Sequence, residues 1–332
     1  MTIKEIAKKA GVSIATVSLA LNNKGNLKKE TQDKILKIAT EGGYNRKKSD
    51  TKKNILLIKY MNSGISIEKN GDFIEQIIDS IEITARERGY NINIKNISIS
   101  DWQEAILMTS QEDCSGIIFL STEAEDEVAE GIKGLGIPVV AVDNMFGRVD
   151  MNAVSIDNEG GVYESVKYAK SMGHTQIGFL HSKIHIENIE QRKEGFRKAL
   201  EQLGLEYQEE FVLEVMPTLD GAYEDMLEIL KQKKNLPTLY IAANDTIAIG
   251  GIKALKEFQK IVPEDISMIG FDDIPFCTMV DSPLTTMNVN TKYMGERAVQ
   301  LLIRNIENDD DESIKVLIRP KLIERESVRE LS

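Results

Sequence analysis

The 332-residue chain is 42% hydrophobic and 28% charged, the balance of a globular protein with enough length for two or three domains. It holds no apolar run of about eighteen residues, which excludes a membrane-spanning helix, and the lysines near its start lack the apolar stretch of a secretory signal. Its net charge of −12 is unevenly placed: residues 1–53 hold 13 Lys or Arg against 5 Asp or Glu, a net +8, leaving −20 for the remainder.

In TIKEIAKKAGVSIATVSLALNN, residues 2–23, Thr2 followed by Glu5 is a capping-box pattern. Ile3, Ile6, Ala7 and Ala10 then form one apolar stripe, and Gly11 ends the helix. Ser13 is placed to cap a second helix, Ile14 to Asn22, that buries Val17, Ala20 and Leu21. Ala15, Ser18, Leu19 and Asn22 lie on its other face. A third helix from about Lys29 to Glu41 buries Ile35, Ile38 and Ala39 before Gly42-Gly43 stops it. Three short helices with a glycine turn match a helix-turn-helix, whose second helix reads base edges in the major groove. A small helical capping domain shows the same apolar pattern. The basic charge of this segment, set against an acidic body, favours the DNA reading.

From residue 54 onward, short apolar runs alternate with helical patterns. Strands are expected at 55–60, 90–96, 116–120, 138–143, 176–181, 238–243 and 266–272, and helices at stretches such as 73–88, 158–172, 190–203, 221–233 and 246–258. This βαβ alternation predicts an α/β body of doubly wound parallel sheets in two lobes, with a ligand cleft at the strands' carboxyl ends. Asp143, Asn244 and Asp272 each fall at such a strand end, and Arg192 lies near the start of a helix. Planar groups of this kind accept and donate pairwise, as a sugar's hydroxyls require. Plainer roles exist for each. Asp272 is placed to cap the following turn, Asn244 to cap the helix after it, and Arg192 to pair with Glu187 or Glu190 on the surface. Cys114 and Cys277 have no metal-ligand spacing and read as small apolar residues of a reducing cytoplasm. His181 and His185 lack the glutamate placement of a zinc protease, and no GxSxG elbow, Walker loop or GxGxxG fingerprint occurs. Neither catalysis, a cofactor nor a metal is expected, and Trp102 is read as packing.

IKEIAKKAGVSIATVSLALN resembles the headpiece of the lactose/galactose-repressor family of bacterial transcription regulators, and the likeness continues through Glu30-Thr31 and Gly43-Tyr44. The resemblance implies that Ile14, Ala15 and Leu19 face bases, while Ser13, Thr16, Ser18, Asn22 and Lys28 approach phosphates. Leu19 departs from the polar residue common there; a leucine touches a thymine methyl but cannot bond guanine. After Tyr44 the family's proline-asparagine start and Ala-Arg-x-Leu hinge helix are replaced by NRKKSDTKKN, residues 45–54. Arg46, Lys47 and Lys48 are then expected to track phosphates or to enter a narrow minor groove, with no leucine to wedge there.

Body stretches such as IPVVAVDN (137–144), QRKEGFRKAL (191–200), AANDTIAIGGIKAL (242–255) and ISMIGFDDIP (266–275) are similar to successive family landmarks. The resemblance places Asp143, Arg192, Asn244 and Asp272 in an effector pocket with Phe73 as its stacking surface, though Phe73 also fits a core position. The expected organisation is a headpiece over 1–46, a basic linker over 47–53 and a body over 54–332. Within the body, lobe 1 takes about 54–155 plus 284–315, and lobe 2 about 156–283 plus 316–332. The implied protein is a cytoplasmic homodimeric regulator, most simply a repressor, that binds operator DNA under control of a sugar-like effector. The alternative is the same regulator with a degenerate pocket, controlled by a protein partner.

Overall fold

The computed structural model describes residues 3–13, 16–17, 20, 29–41, 53–64, 71–109, 114–232, 235–308 and 312–331. The chain divides into two compact units, Met1–Thr51 and Lys52–Ser332.

In the first unit, α1 (Ile3–Ala10) and α2 (Lys29–Glu41) flank a helical turn that includes Thr16, Val17 and Ala20. Their buried residues are those the 3.6-residue periodicity picks out: Ile6, Ala7 and Ala10 meet Val17, Ala20, Ile35 and Ala39, with Ile38 partly buried against them. Gly11 takes φ 73° and donates to the Ala7 carbonyl, closing α1 in the left-handed conformation that costs glycine little. Two residues on, Ser13 Oγ accepts the Thr16 amide at 3.0 Å, which makes Ser13 the cap of the second helix. The Thr2 cap, Leu21, the glycine stop and the linker up to Lys52 lie outside the described residues.

The second unit contains two six-stranded sheets. Its elements are, in chain order, β1 (Asn54–Met61), α3 (Gly71–Glu87), β2 (Asn91–Ser98), α4 (Trp102–Thr109), β3 (Gly116–Leu120), α5 (Asp126–Lys133), β4 (Val139–Val142) and β5 (Asn152–Ile156). Then follow α6 (Asn158–Ser171), β6 (Ile177–Ser182), α7 (Glu187–Gln202), β7 (Val212–Val215), α8 (Leu219–Gln232), β8 (Leu239–Ala242), α9 (Asp245–Glu257) and β9 (Ser267–Asp272). The chain ends with β10 (Thr285–Asn288), α10 (Thr291–Asn308), β11 (Lys315–Ile318) and β12 (Lys321–Ile323). The first sheet has the order β11-β5-β4-β3-β1-β2 and the second β12-β10-β9-β8-β6-β7. Every pairing is parallel except β10 with β12.

Each central strand is buried on both faces, so its hydrophobic run is continuous. Along β1, Ile55 and Leu57 join the core beneath α3, whereas Leu56, Ile58 and Tyr60 join the cluster that Trp102 of α4 packs against. The two sheets share one connectivity, in which the chain reverses direction between β1 and β3, and again between β6 and β8. Those reversals open a crevice at the strands' carboxyl ends.

Three segments cross between the sheets: at Asp157, between β10 and α10, and at Arg319-Pro320. The expected partition of the lobes is corrected here. Residues 285–288 belong to the second sheet, and 316–318 to the first. The reason lies in the polar side chains of β10. Thr286 Oγ1 donates to Asp245 at 2.6 Å and the Thr285 amide donates to Ser327 Oγ at 2.8 Å, and both partners belong to the second lobe. Buried threonines go where their hydrogen bonds are met.

Ser13→Ala should destabilise the first unit by about 1 kcal/mol, and Gly11→Ala by about 1–2 kcal/mol. In hydrogen exchange on the full chain, amides of 3–41 would lose protection while those of the second unit would not. Unchanged protection in both variants would contradict the caps.

Candidate functional site

Phe73, Asp143, Arg192, Asn244 and Asp272 line one cavity of about 30 Å³ between the two lobes of the second unit. Phe73 comes from the first turn of α3, and Asp143 follows β4. Arg192 lies in the second turn of α7, Asn244 follows β8, and Asp272 ends β9. Thr122, Ser182 and Asn188 complete its polar wall. At about 30 Å³ the space holds one or two waters. Through Thr122 and Ile186 it adjoins an outer chamber of about 690 Å³, a volume typical of small-ligand sites.

Arg192 organises the floor. Its Nε donates to Asn158 Oδ1 at 2.8 Å and its Nη1 to the Ala243 carbonyl at 2.6 Å. The guanidinium carbon lies 3.7 Å from the Phe271 ring centroid, and Nη2 lies 3.3 Å from Asp272 Oδ1. Only 4% of the side chain is exposed, so the surface pairing with Glu187 or Glu190 is ruled out. A guanidinium this deep needs nearby carboxyl groups and well-made hydrogen bonds to offset its desolvation, and Asp272, Asp143, Asn158 and Ala243 supply them.

Two buried carboxyls, Asp272 and Asp143, share that one positive charge, and a third, Asp245, lies close enough to act on Asp272. Burial pushes Asp272 up to about 8; Arg192 pulls it back, while Asp245 and Asp143 push it further up. Burial likewise raises Asp143 to about 6, against hydrogen bonds from Thr122 and Asn188 and the Arg192 charge. Asp245 is raised to about 6 by burial, against bonds from Thr286, Cys277 and the backbone at Ile274 and Asp273. Asp272 Oδ1 has no hydrogen-bond partner despite its burial. Its ion pair with Arg192 therefore lacks hydrogen-bond geometry, and an orphaned acceptor in a cavity calls for a donor.

The backbone is strained at the same places. Asp143 (φ 69°), Asp272 (φ 115°) and Asp273 (φ 62°) all adopt left-handed conformations that L-residues avoid. Such strain persists where the surroundings fix it, characteristically at ligand sites. Asp272 caps no helix; the Ile274 amide instead donates to Asp245 at 3.0 Å. Asn244 does cap α9, its Oδ1 accepting from the Ile247 amide at 2.9 Å, so its amide nitrogen is the group it presents to the cavity. Phe73 is 6% exposed and serves both the core and the cavity wall.

Sequence reasoning overlooked the residues that hold the others in place. Asn188 Nδ2, on lobe 2, donates to both the carbonyl and Oδ1 of Asp143 on lobe 1, each at 2.9 Å. That pair of bonds latches the lobes together. Asn158 Nδ2 in turn donates to Asn188 Oδ1 and Gln191 Oε1, both at 2.9 Å. Thr122 Oγ1 donates to Asp143 Oδ2 at 2.7 Å. Asn188 and Asn158 open helices immediately after loops, a position that signals a cap rather than a ligand, so composition alone offers little to separate them. In the first unit only Ser13 and Thr16, of the expected DNA-facing residues, are described. Ser13 is exposed and its hydroxyl lies 2.8 Å from that of Thr16. Ile14, Ala15, Ser18, Leu19, Asn22, Lys28, Arg46, Lys47 and Lys48 lie outside the described residues.

Residues 2–47 match the family described as "Bacterial regulatory proteins, lacI family", and residues 166–328 match the "Periplasmic binding protein-like domain". The HTH-type transcriptional regulator DegA of Bacillus subtilis (strain 168) is 30% identical over 339 residues, covering 100% of this chain and 99% of its own. The chain belongs to the lacI family of bacterial regulatory proteins. As a lacI-family member it is a DNA-binding transcription regulator whose body has the fold of a ligand-binding domain. The HTH-type transcriptional repressor PurR of Haemophilus influenzae (strain PittEE) is also 30% identical, over 345 residues and 99% of each chain. In fold, the transcriptional regulator CelR–cellobiose complex matches with a TM-score of 0.76 at 23% identity, covering 98% of this chain and 99% of that one. The lac repressor dimer bound to operator and the anti-inducer ONPF matches with a TM-score of 0.73 at 21% identity and 99% of each chain. Among the described residues, no helix is long and apolar enough to cross a membrane.

The raised carboxyls make stability depend on pH. Asp272 holds its proton up to about 8 when folded but releases it near 3.9 when unfolded, so its contribution is full at low pH and lost as pH rises through about 8. The contributions of Asp143 and Asp245 are lost by about 6. Between about pH 6.5 and 8, above the ordinary histidine range, the second unit's melting temperature should fall as pH rises. Asp272→Asn should flatten that slope, and equal slopes in both proteins would contradict the assignment.

Proposed function

We propose that this regulator acts as a homodimeric repressor whose operator affinity is set by a neutral, polyhydroxyl, sugar-like effector bound between the two lobes. The observation that carries this reading is the unpartnered Asp272 Oδ1, buried beside Arg192 where five residues from both lobes converge. A hydroxyl donating to Asp272 and accepting from Arg192 would meet both needs at once, and Phe73 offers an apolar face to the ring. Three buried carboxyls against one guanidinium disfavour a phosphorylated ligand. The outer chamber adds Glu125, Asp126 and Glu127 on its wall, with Arg148 as a lone counterweight among its lining residues. Entry requires the Asn188–Asp143 latch to open, so occupancy is coupled to the angle between lobes by the hinge at the three crossovers. Two heads carried by one dimer would then change their spacing on a two-fold operator. The intact polar set argues against a degenerate pocket and control by a protein partner.

Calorimetric titration of neutral mono- and disaccharides into the full chain tests the reading. One saturable site per chain is expected, weakened by about 2–4 kcal/mol in both Arg192→Ala and Asp272→Ala, because each leaves buried partners unpaired. Operator affinity without effector should be unchanged. Silence toward every sugar from a folded, operator-binding protein would favour a protein partner. An effector constant unaltered in both variants would place the ligand elsewhere.

A further inference from the structure

Beyond the effector pocket, on the rim of lobe 2, three nitrogen and oxygen donors converge that neither line that pocket nor latch the lobes. His181 sits near the end of β6, His185 in the loop that follows, and Glu190 in the first turn of α7. His181 Nε2 lies 3.2 Å from Glu190 Oε1, and His185 Nδ1 lies 2.7 Å from that same oxygen. All three donor atoms fall within 4.8 Å of one another, and this is the group of such donors found among the described residues.

His181 is the telling member. It is fully buried, yet neither ring nitrogen has a hydrogen-bond partner, and the contact with Glu190 lacks the geometry of one. His174 shows how this protein treats a buried imidazole whose role is structural. Its Nδ1 lies 2.8 Å from Thr238 Oγ1 and its Nε2 lies 3.0 Å from the Arg329 carbonyl. An unmet imidazole nitrogen aimed at a carboxylate and a second imidazole is an arrangement that an ion completes.

We propose that His181, His185 and Glu190 bind a divalent transition ion of the zinc class. Two imidazoles and a carboxylate are the donor set of open, three-ligand zinc sites, which leave a fourth position for water or another ligand. Bonds of about 2.0–2.1 Å in a tetrahedral shell put donor atoms roughly 3.3 Å apart. The 3.2 and 2.7 Å separations need only small side-chain shifts to reach that spacing. Nitrogen donors select against Mg²⁺ and Ca²⁺, which take oxygen ligands. Burial holds the His181 pKa down, Glu190 and Glu214 oppose this, and Lys193 and His185 add to it; the imidazole is therefore in its neutral, ligating form. Burial raises Glu190, but the hydrogen bond with His185 and the Lys193 charge act against it, and the balance keeps the carboxylate ionised. Lys193 is the cation among these neighbours that opposes an ion, and its ammonium is 3.8 Å from Glu214, which tempers it. His185 also lines the outer chamber, where Glu125, Asp126 and Glu127 make the surroundings favourable to positive charge.

The test is calorimetric titration of the chelator-treated full chain with Zn²⁺, with Mg²⁺ as control, for the wild type, His185→Ala and Glu190→Gln. His181→Gln risks the fold of β6, so the two partly exposed ligands carry the comparison. One Zn²⁺ per chain is expected, with affinity lowered about tenfold or more in each variant, and no Mg²⁺ binding. Co²⁺ should give the strong visible absorption of a four-coordinate ion in the wild type and lose it in both variants. Absence of Zn²⁺ binding to the wild type, binding retained in full by both variants, or equal binding of Mg²⁺ would each overturn the proposal.

Discussion

Arg192 is enclosed by an amide oxygen, a main-chain carbonyl, an aromatic face and the Asp272 carboxyl; Asp143 also feels its charge, and Asp245 presses on Asp272. The arrangement of the body around the crevice follows from that imbalance. A lone buried guanidinium is intolerable, and so are three ionised buried carboxylates. The protein meets the first constraint with Asn158, Ala243, Phe271 and Asp272. It meets the second by distributing hydrogen bonds: Thr122 and Asn188 to Asp143, and Thr286 and the Ile274 amide to Asp245. Asp272 alone is left with an unpartnered oxygen, at the point where both lobes meet. The site is thus satisfied everywhere except where a ligand would enter.

The fold makes this arrangement available. Both sheets have the same strand order, so both offer a chain reversal at their carboxyl ends, and the two reversals face each other. Polar and charged side chains from both lobes reach one small space without any long loop. The Asn188–Asp143 bonds run from one lobe to the other across the crevice, so Asn188 acts as a positioning residue. Its orientation depends on Asn158, which also holds Arg192 Nε. Asp143 of one lobe is therefore linked to the guanidinium through two asparagines, Asn188 and Asn158.

Much of this was legible in the sequence. Seven strands and five helices of the second unit stand out because continuous apolar runs such as ILLI and GIIFL alternate with 3.6-residue patterns. The strands NAVSI, VLEV, TTMN, KVLI and KLI escaped because they are only three to five residues long and each contains at least one polar residue. The misplacement of 284–315 has the same origin, since the threonines of β10 read as a loop until Asp245 and Ser327 are seen beside them. The pocket acids were legible because they end strands, and Arg192 because it lies near the start of a helix. Asn158, Asn188 and Thr122 were not, since a residue that orients another carries no periodicity of its own. The convergence of His181, His185 and Glu190 spans a strand end, a loop and a helix start, a geometry that spacing along the chain does not encode.

In the proposed function, the effector supplies the donor that Asp272 Oδ1 lacks. Donation to Asp272 favours its ionised form, so binding must lower a pKa that stands at about 8 and expel a proton. Calorimetry of effector binding at about pH 7, repeated in buffers of different ionisation enthalpy, measures that proton directly. Net proton release is expected, with an affinity that rises as pH approaches 8, and both effects should vanish in Asp272→Asn. Proton uptake, or heats independent of the buffer, would contradict this role for Asp272.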